Sequence, residues 1–320
     1  MAKHVVWITG ARGFIGRHLA RSFIDHANYV AGIGHGLWHE IDCSQWGISH
    51  WVNGDITVSN LNQLAKTTGL PDVIVHLAGG STVGKSIDQP REDFFRTVVS
   101  TTELLEWLRV SSPDTAVVIA SSAAVYGSNH EGQISETVAL APFSPYGHHK
   151  QMVEVLCKSY GNAYGLRTVI ARIFSVYGPE LKKQLLWDLC SRISQGETDL
   201  VLGGTGNEIR DWTAIGDVCR ALKLLTHHTS SDAPIYNIGT GVGTCVSDIA
   251  RIVTEKWFKC SGKSHDINLR FSGQSRIGDP FSLVANPSKI KELNFACEKQ
   301  IHHGIDNYVS WYCSQMNIHT

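Results

Sequence analysis

The sequence predicts an α/β fold: a doubly wound parallel sheet carrying a smaller C-terminal α/β lobe. Three observations predict it. Residues 9–16 read Thr-Gly-Ala-Arg-Gly-Phe-Ile-Gly, a glycine-rich turn between an apolar strand and a helix. Through the first two-thirds of the chain, apolar β-branched runs alternate with helical stretches, as in parallel strands joined by crossover helices. After Pro179 the composition changes. Residues 1–178 are therefore expected to form mainly a nucleotide-binding domain and residues 179–320 mainly a substrate lobe, with chain crossings between them.

The elements follow in order. Val5–Thr9, Tyr29–Ile33, His50–Asn53, Val73–Leu77, Ala116–Ser121 and Thr168–Phe174 are nearly continuous apolar runs, which fits strands buried on both faces. Helical patterns lie between them at Ile15–His26, Ser59–Thr67, Glu92–Val110 and Tyr146–Tyr164, and Pro71, Pro113 and Pro145 mark element starts. Further on come a helix near Lys182–Ser194, a loop at Gly203–Gly206, a helix from Asp217 and a strand at Ile235–Ile238. Helices near Val246–Trp257, Pro287–Leu293 and Ile301–Cys313 complete the chain.

Composition narrows the function. Lys and Arg total 28 against 29 Asp and Glu, so no charge imbalance points to nucleic acid or an anionic membrane. The eight Cys include no CxxC pair and read as reduced core residues. Sixteen His include the adjacent pairs 148/149, 227/228 and 302/303. Adjacent side chains diverge on a helix, so these are expected to be solvated surface imidazoles, and no metal site is expected. No apolar run approaches the ~18 residues of a membrane span, and the first apolar run reads as a strand rather than a signal peptide. A cytoplasmic protein is expected.

The glycine turn suits a dinucleotide. Gly10, Gly13 and Gly16, with Phe14 and Ile15 opening the helix, allow a tight turn and bring a helix N-terminus to a pyrophosphate. The spacing is GxxGxxG rather than GxGxxG. Gly34 stands at the end of the second strand, where an acidic residue would bond the ribose 2′-hydroxyl of NAD. With Arg12 in the turn and His35 beside Gly34, the pattern favours NADP(H). NAD(H) remains open if Glu40, Asp42 or backbone meets the 2′-hydroxyl and Arg12 is only an exposed turn residue.

Tyr146-Gly147-His148-His149-Lys150 places a phenol and an ammonium one helical turn apart. The ammonium is expected to lower the phenol from its usual value of about 10. A Ser hydroxyl from Ser121-Ser122 would hold a substrate oxygen while Tyr146 moves its proton. Taken alone, the Tyr-Lys spacing is weak; in register with a glycine turn, it points to hydride chemistry at a carbonyl or alcohol.

These pieces together resemble the extended short-chain dehydrogenase/reductase family, in its nucleotide-sugar epimerase/dehydratase/reductase branch. The matching segments are TGARGFIG, NGDIT (53–57), HLAGGSTVGKS (76–86), IASSAAVYG (119–127), SPYGHHK (144–150), ARIFSVYGPE (171–180), GTGNEIRDW (204–212), IYNIGTG (235–241) and RIGDP (276–280). The resemblance implies a Rossmann-type domain for the cofactor and a smaller lobe for a nucleotide-diphosphate sugar. It implies Ser122, with Ser121 competing, as the catalytic hydroxyl, Tyr146 as acid/base, and Lys150 on the nicotinamide ribose. Asp55 and Ile56 would contact adenine, and Leu77, Ala78, Gly79 and Ser81 would line the ribose and pyrophosphate. Ser86, Ser122 and Ser175 would meet the substrate, and Arg210 and Arg276 would hold its diphosphate. It also implies a homodimer through a four-helix bundle of the Glu92–Val110 and Tyr146–Tyr164 helices.

Departures from the family pattern bear on the reaction. Dehydratases of the branch carry an acidic pair after the catalytic hydroxyl, whereas Ala123-Ala124 stand here. Thr97 replaces a usual Asn, Ser175 another, and His149 precedes the Lys where Ser or Thr is usual. His149 is read as a helix-surface residue. The expected reaction is NADPH-dependent reduction of a nucleotide 4-keto-6-deoxy sugar. The alternatives are an NAD-dependent nucleotide-sugar 4-epimerase and, in another class, a catalytically silent dinucleotide sensor or scaffold.

Overall fold

A computed structural model of the chain describes residues 4–24, 28–128, 130–262, 267–274 and 280–316. In chain order, the first elements are β1 (His4–Thr9), α1 (Phe14–Ser22), β2 (Asn28–Gly34), α2 (Glu40–Gln45), β3 (His50–Asn53) and α3 (Val58–Thr68). Then come β4 (Val73–His76), α4 (Val83–Asp88), α5 (Pro90–Phe94), a π-turn (Phe95–Val99), α6 (Ser100–Ser111), β5 (Ala116–Ser122) and a 3₁₀ turn (Ala123–Val125). Next are β6 (Gln133–Ile134), α7 (Pro145–Tyr164), β7 (Thr168–Ile173), β8 (Ser175–Tyr177), α8 (Gln184–Ser194), β9 (Asp199–Leu202), β10 (Ile209–Ala214) and α9 (Ile215–Leu225). The chain ends with β11 (Ile235–Ile238), β12 (Gly243–Cys245), α10 (Val246–Ser261), β13 (Asn268–Phe271), β14 (Ser282–Ala285), α11 (Ser288–Lys291) and α12 (Ile301–Gln315).

Two compact units emerge, each assembled from separated stretches of chain. The first comprises residues 1–127, 136–173 and 218–238. Its seven-stranded sheet has the order β11-β7-β5-β4-β1-β2-β3, and every pairing is parallel. The order reverses between β1 and β4, the place where doubly wound sheets bind ligands at the carboxyl ends of their strands. All the apolar runs expected as strands of this sheet form. They can run continuously apolar because helices cover both faces: β4 and β7 are buried throughout. Under one face, Trp7 and Trp107 meet at 5.1 Å between ring centroids, among Leu61, Leu64, Leu104, Leu105, Leu108 and Val153. Each indole N–H is satisfied, by Thr68 and Asn62 respectively, so this pair carries no unpaired donor.

The expected helix over Glu92–Val110 is broken. A π-turn separates α5 from α6, an insertion often found at functional sites. The second unit holds residues 128–135, 174–217 and 239–320. Its sheet runs β12-β10-β14-β6 with β8 beside β10, and β13 pairs with β9. Asp211, fully buried on β10, accepts bonds from the Thr240 and Gly241 amides and fixes the strand against that turn. Among the described residues, no helix is long and apolar enough to cross a membrane.

Candidate active site

The ends of β1, β2 and β4 bring the expected cofactor segments together. Gly10 has φ +69°, the left-handed region, and a Cβ there would lie 3.0 Å from the Ala78 amide nitrogen. Only glycine fits this turn without strain. The Gly10 amide donates to Ile33 O, at 2.7 Å, which ties the turn to Gly34. Thr9 completes the junction: its Oγ1 accepts from the Leu77 and Ala78 amides, each at 3.1 Å. Helix α1 then starts at Gly13 with no side-chain cap and no acidic residue in its first turn. A turn packed this closely, feeding a helix N-terminus that no side chain occupies, fits a pyrophosphate. Gly10, Gly13–Gly16, Gly34 and Leu77–Gly79 are thus assembled at one edge.

Behind this edge lies a polar chain that sequence reading missed. His76, 2% exposed, is bonded to Thr9 through Nδ1 at 2.8 Å and to Thr101 through Nε2 at 3.0 Å. Burial, with the nearby Lys150 charge, drives its pKa down to about 3, so the imidazole is neutral. Thr101 donates to Thr97 O at 2.6 Å, and Thr97 Oγ1 accepts from the Gly80 amide at 2.8 Å. Thr97 therefore anchors the turn after β4 from the π-turn.

At the adenosine end, the Arg12 guanidinium packs on the backbone of Gly36, where a Cβ would meet Nη1 at 2.5 Å. His35 is exposed and lies 2.9 Å from Asp55. Ile56 is buried with the core, whereas Asp55 is exposed. Ser81 is exposed.

Strand β5 delivers Ser122 and helix α7 delivers Tyr146 and Lys150. Ser144 caps α7 by accepting from the Gly147 amide at 3.1 Å, with Pro145 in the first turn. Gly147 lets this turn press on the end of β5: a Cβ there would lie 2.7 Å from Ala124 O. That approach brings the Tyr146 phenol to Ser122, whose hydroxyl acts to lower the phenol's pKa. Ser121 faces the other way; it is 3% exposed and donates to Glu154 at 2.6 Å. Lys150 is buried, donates to Ala120 O at 2.9 Å, and holds its Nζ 5.9 Å from the Tyr146 ring centroid.

The expected lowering of Tyr146 is not found. Burial raises the phenol above its usual range, the Ser122 bond opposes that rise, and Asp93 adds to it. Desolvation is the largest cause of the shift. Burial likewise brings Lys150 down to about 8, against the fields of Asp93 and Glu154.

Three further expectations change. Ser86 is fully buried; its hydroxyl donates to Val83 O at 2.7 Å and accepts from the Tyr146 amide at 3.0 Å. It supports the start of α7 instead of facing a substrate. His149 is no surface residue: it is 8% exposed, and its Nδ1 lies 2.5 Å from Asp93 Oδ2. The two helices expected to pair across a dimer divide their apolar residues: Val98, Leu105, Leu108 and Val153 turn into their own core, whereas Phe95 and Met152 are exposed. In the second unit, Ser175 opens β8 opposite Trp212. Arg210 donates to the carbonyls of Ile209 and Phe281. Arg276 lies outside the described residues.

Residues 6–239 match the family model described as the NAD-dependent epimerase/dehydratase family. The chain belongs to that family. This epimerase/dehydratase-family chain is 30% identical to the UDP-glucose 4-epimerase of Azospirillum brasilense, over 90% of its own length and 85% of the relative's. It superposes on the UDP-glucuronic acid 4-epimerase of Bacillus cereus, solved with UDP-glucuronic acid and NAD, with a TM-score of 0.83 and 26% identity over 97% of this chain and 99% of that one. It also superposes on DesIV, the dTDP-glucose 4,6-dehydratase of Streptomyces venezuelae, with a TM-score of 0.85 and 25% identity over 98% of each chain. The family fixes an NAD(P)-type dinucleotide as cofactor and a Rossmann-like fold.

Proposed function

We propose that the protein is a nucleotide-sugar 4-epimerase. The observation that carries this reading is a complete Ser122–Tyr146–Lys150 group followed directly by Ala123-Ala124. The group serves oxidation and reduction at one carbon, while two methyl side chains offer no acid or base for eliminating water from the next. The two relatives named above as 4-epimerases support the same choice, which sets this reaction ahead of the ketoreductase expected from sequence.

Tyr146 takes the proton of the sugar C4 hydroxyl, and Ser122 holds the same oxygen. A bound nicotinamide supplies the hydride acceptor and later donor at C4. After the keto sugar rotates so that its other face meets the returning hydride, Tyr146 gives the proton back to the C4 oxygen. Lys150 faces the phenol with a positive charge, which favours the deprotonated form that the first step needs. The glycine turn and α1 hold the pyrophosphate; Ser175, Arg210 and Arg276 are proposed to meet the nucleotide-sugar. The test is incubation with UDP-glucose and with UDP-glucuronic acid, separation of the C4 epimers, and analysis of nucleotide released by heat. Epimer formation with NAD released from the purified protein supports the proposal; no epimer, with NADPH consumed by nucleotide 4-keto-6-deoxy sugars, replaces it with the reductase.

That second reading rests on Arg12, whose position against Gly36 suits a 2′-phosphate. If it does so, Arg12→Ala weakens NADPH binding at least tenfold more than NADH binding in fluorescence titrations; equal losses remove the NADP preference.

The same helices supply a proposed dimer face. Phe95, Met152 and Val155 are 50%, 45% and 61% exposed, an apolar patch on the outside of the π-turn and α7. Light scattering at micromolar concentration is expected to give twice the chain mass of 35.2 kDa; a monomer mass contradicts the assembly.

A further inference from the structure

Asp93 and His149 have no place in the chemistry above, yet they sit beside it. Both are buried, at 5% and 8% exposure. Their bond of 2.5 Å ties α5 to α7 across 56 residues of sequence. The Phe94 ring closes over the imidazole edge-to-face at 5.4 Å. On its other side the Asp93 carboxylate is walled in by Gly80, where a Cβ would lie 1.7 Å from Oδ1. The preceding residue, Gly79, borders the Lys150 ammonium, with a Cβ there 3.3 Å from Nζ. The carboxylate and the ammonium thus flank two consecutive glycines of the turn that lines the cofactor edge.

We propose that Asp93 and His149 form a positioning pair for Tyr146 and Lys150, seating the first turns of α7 on the Gly79–Gly80 turn and presenting a fixed carboxylate to both side chains. Burying a carboxylate is costly without a partner, and His149 is the partner. Any other residue at position 80 would displace Asp93.

The remaining charges around the group are already committed. Glu154, one turn beyond Lys150 on α7, is held by Arg172 of β7 through two bonds. His76 on β4 is neutral within its threonine bonds. On α4, Lys85 and Asp88 are exposed, as is His148 on α7. On the π-turn, Arg96 pairs with Glu92 of α5 at the surface. On α6, Arg109 pairs with Glu106. Asp93 is thus the carboxylate whose field reaches both reactive side chains: it holds Lys150 up against burial and raises Tyr146.

This inference rests on the roles proposed for Tyr146 and Lys150, but its test needs neither substrate nor cofactor, so it stands or falls apart from the epimerase reading. The tyrosinate absorbance of Tyr146 is isolated as the difference between a protein and its Tyr146→Phe counterpart, and titrated upward from pH 7 until its midpoint is passed. In Asp93→Asn the amide keeps the shape of the contact and loses the charge. With that charge removed the Tyr146 midpoint is expected to fall; a folded Asp93→Asn protein with the wild-type midpoint overturns the proposal. If Asp93→Asn does not fold, His149→Gln and His149→Leu decide. The Gln amide still donates to Asp93 and keeps the midpoint, while Leu cannot and shifts it. Equal midpoints in the two His149 variants overturn the proposal.

Discussion

Tyr146→Phe is expected to bind dinucleotide as the wild type does and to lose ~10²–10⁴-fold in turnover, the range for removing a general acid or base. The ring, its packing and the α7 backbone are unchanged by the substitution, and the cofactor-edge contacts of Gly10, Thr9 and Ala78 do not involve the phenol oxygen. The loss therefore belongs in kcat, with Kd for the nucleotide held. Ser122→Ala should cost less, because it removes the hydroxyl that acts on the phenol while leaving the proton carrier in place. Full turnover in Tyr146→Phe, followed by epimer or reduced-sugar formation, would remove Tyr146 from the chemistry.

Acid should unsettle this protein through His76 before most carboxylates titrate. The imidazole has a folded pKa of about 3 against an ordinary 6.5. Its folded form refuses a proton that the unfolded chain accepts, so the stabilisation is complete above pH 6.5 and drains away as pH falls toward 3. Between pH 7.5 and 5 this one residue accounts for about 2 kcal/mol. His76→Gln keeps hydrogen-bonding groups for Thr9 and Thr101 but cannot titrate. The difference between the unfolding free energies obtained from urea titrations at the two pH values should shrink in the variant by that amount; parallel pH profiles for wild type and variant would show that His76 is not the acid-labile group.

Legibility in the sequence followed burial and distance along the chain. The parallel strands were readable because burial on both faces demands unbroken apolar runs. The short strands of the second unit were not: β9 alternates exposed and buried over four residues, and β12 has only three. The Tyr-Lys spacing and the glycine turn are local patterns and announce themselves. Choosing Ser122 over Ser121 needed the structure, since the choice depends on which hydroxyl Glu154 already holds. The misreading of His149 has the same origin. Three residues after Tyr146 on a helix, it shares that face, but its partner Asp93 lies on another helix and nothing in the local pattern points to it. The direction of the Tyr146 shift was missed because spacing reports a nearby ammonium but not the desolvation that is the largest cause of the shift.

The sheet of the first unit closes on β11, a strand made 62 residues after β7 ends. During synthesis at roughly 5–20 residues per second, the edge of β7 waits several seconds for its neighbour while the chain builds a large part of the other unit. An open parallel edge of this kind invites pairing with other chains. The protein's hazard in the cell is therefore one of timing: nascent chains stalled or truncated between residues 173 and 235 carry a nearly finished nucleotide fold with one sticky side, and a gene cut after residue 178 would encode that species permanently.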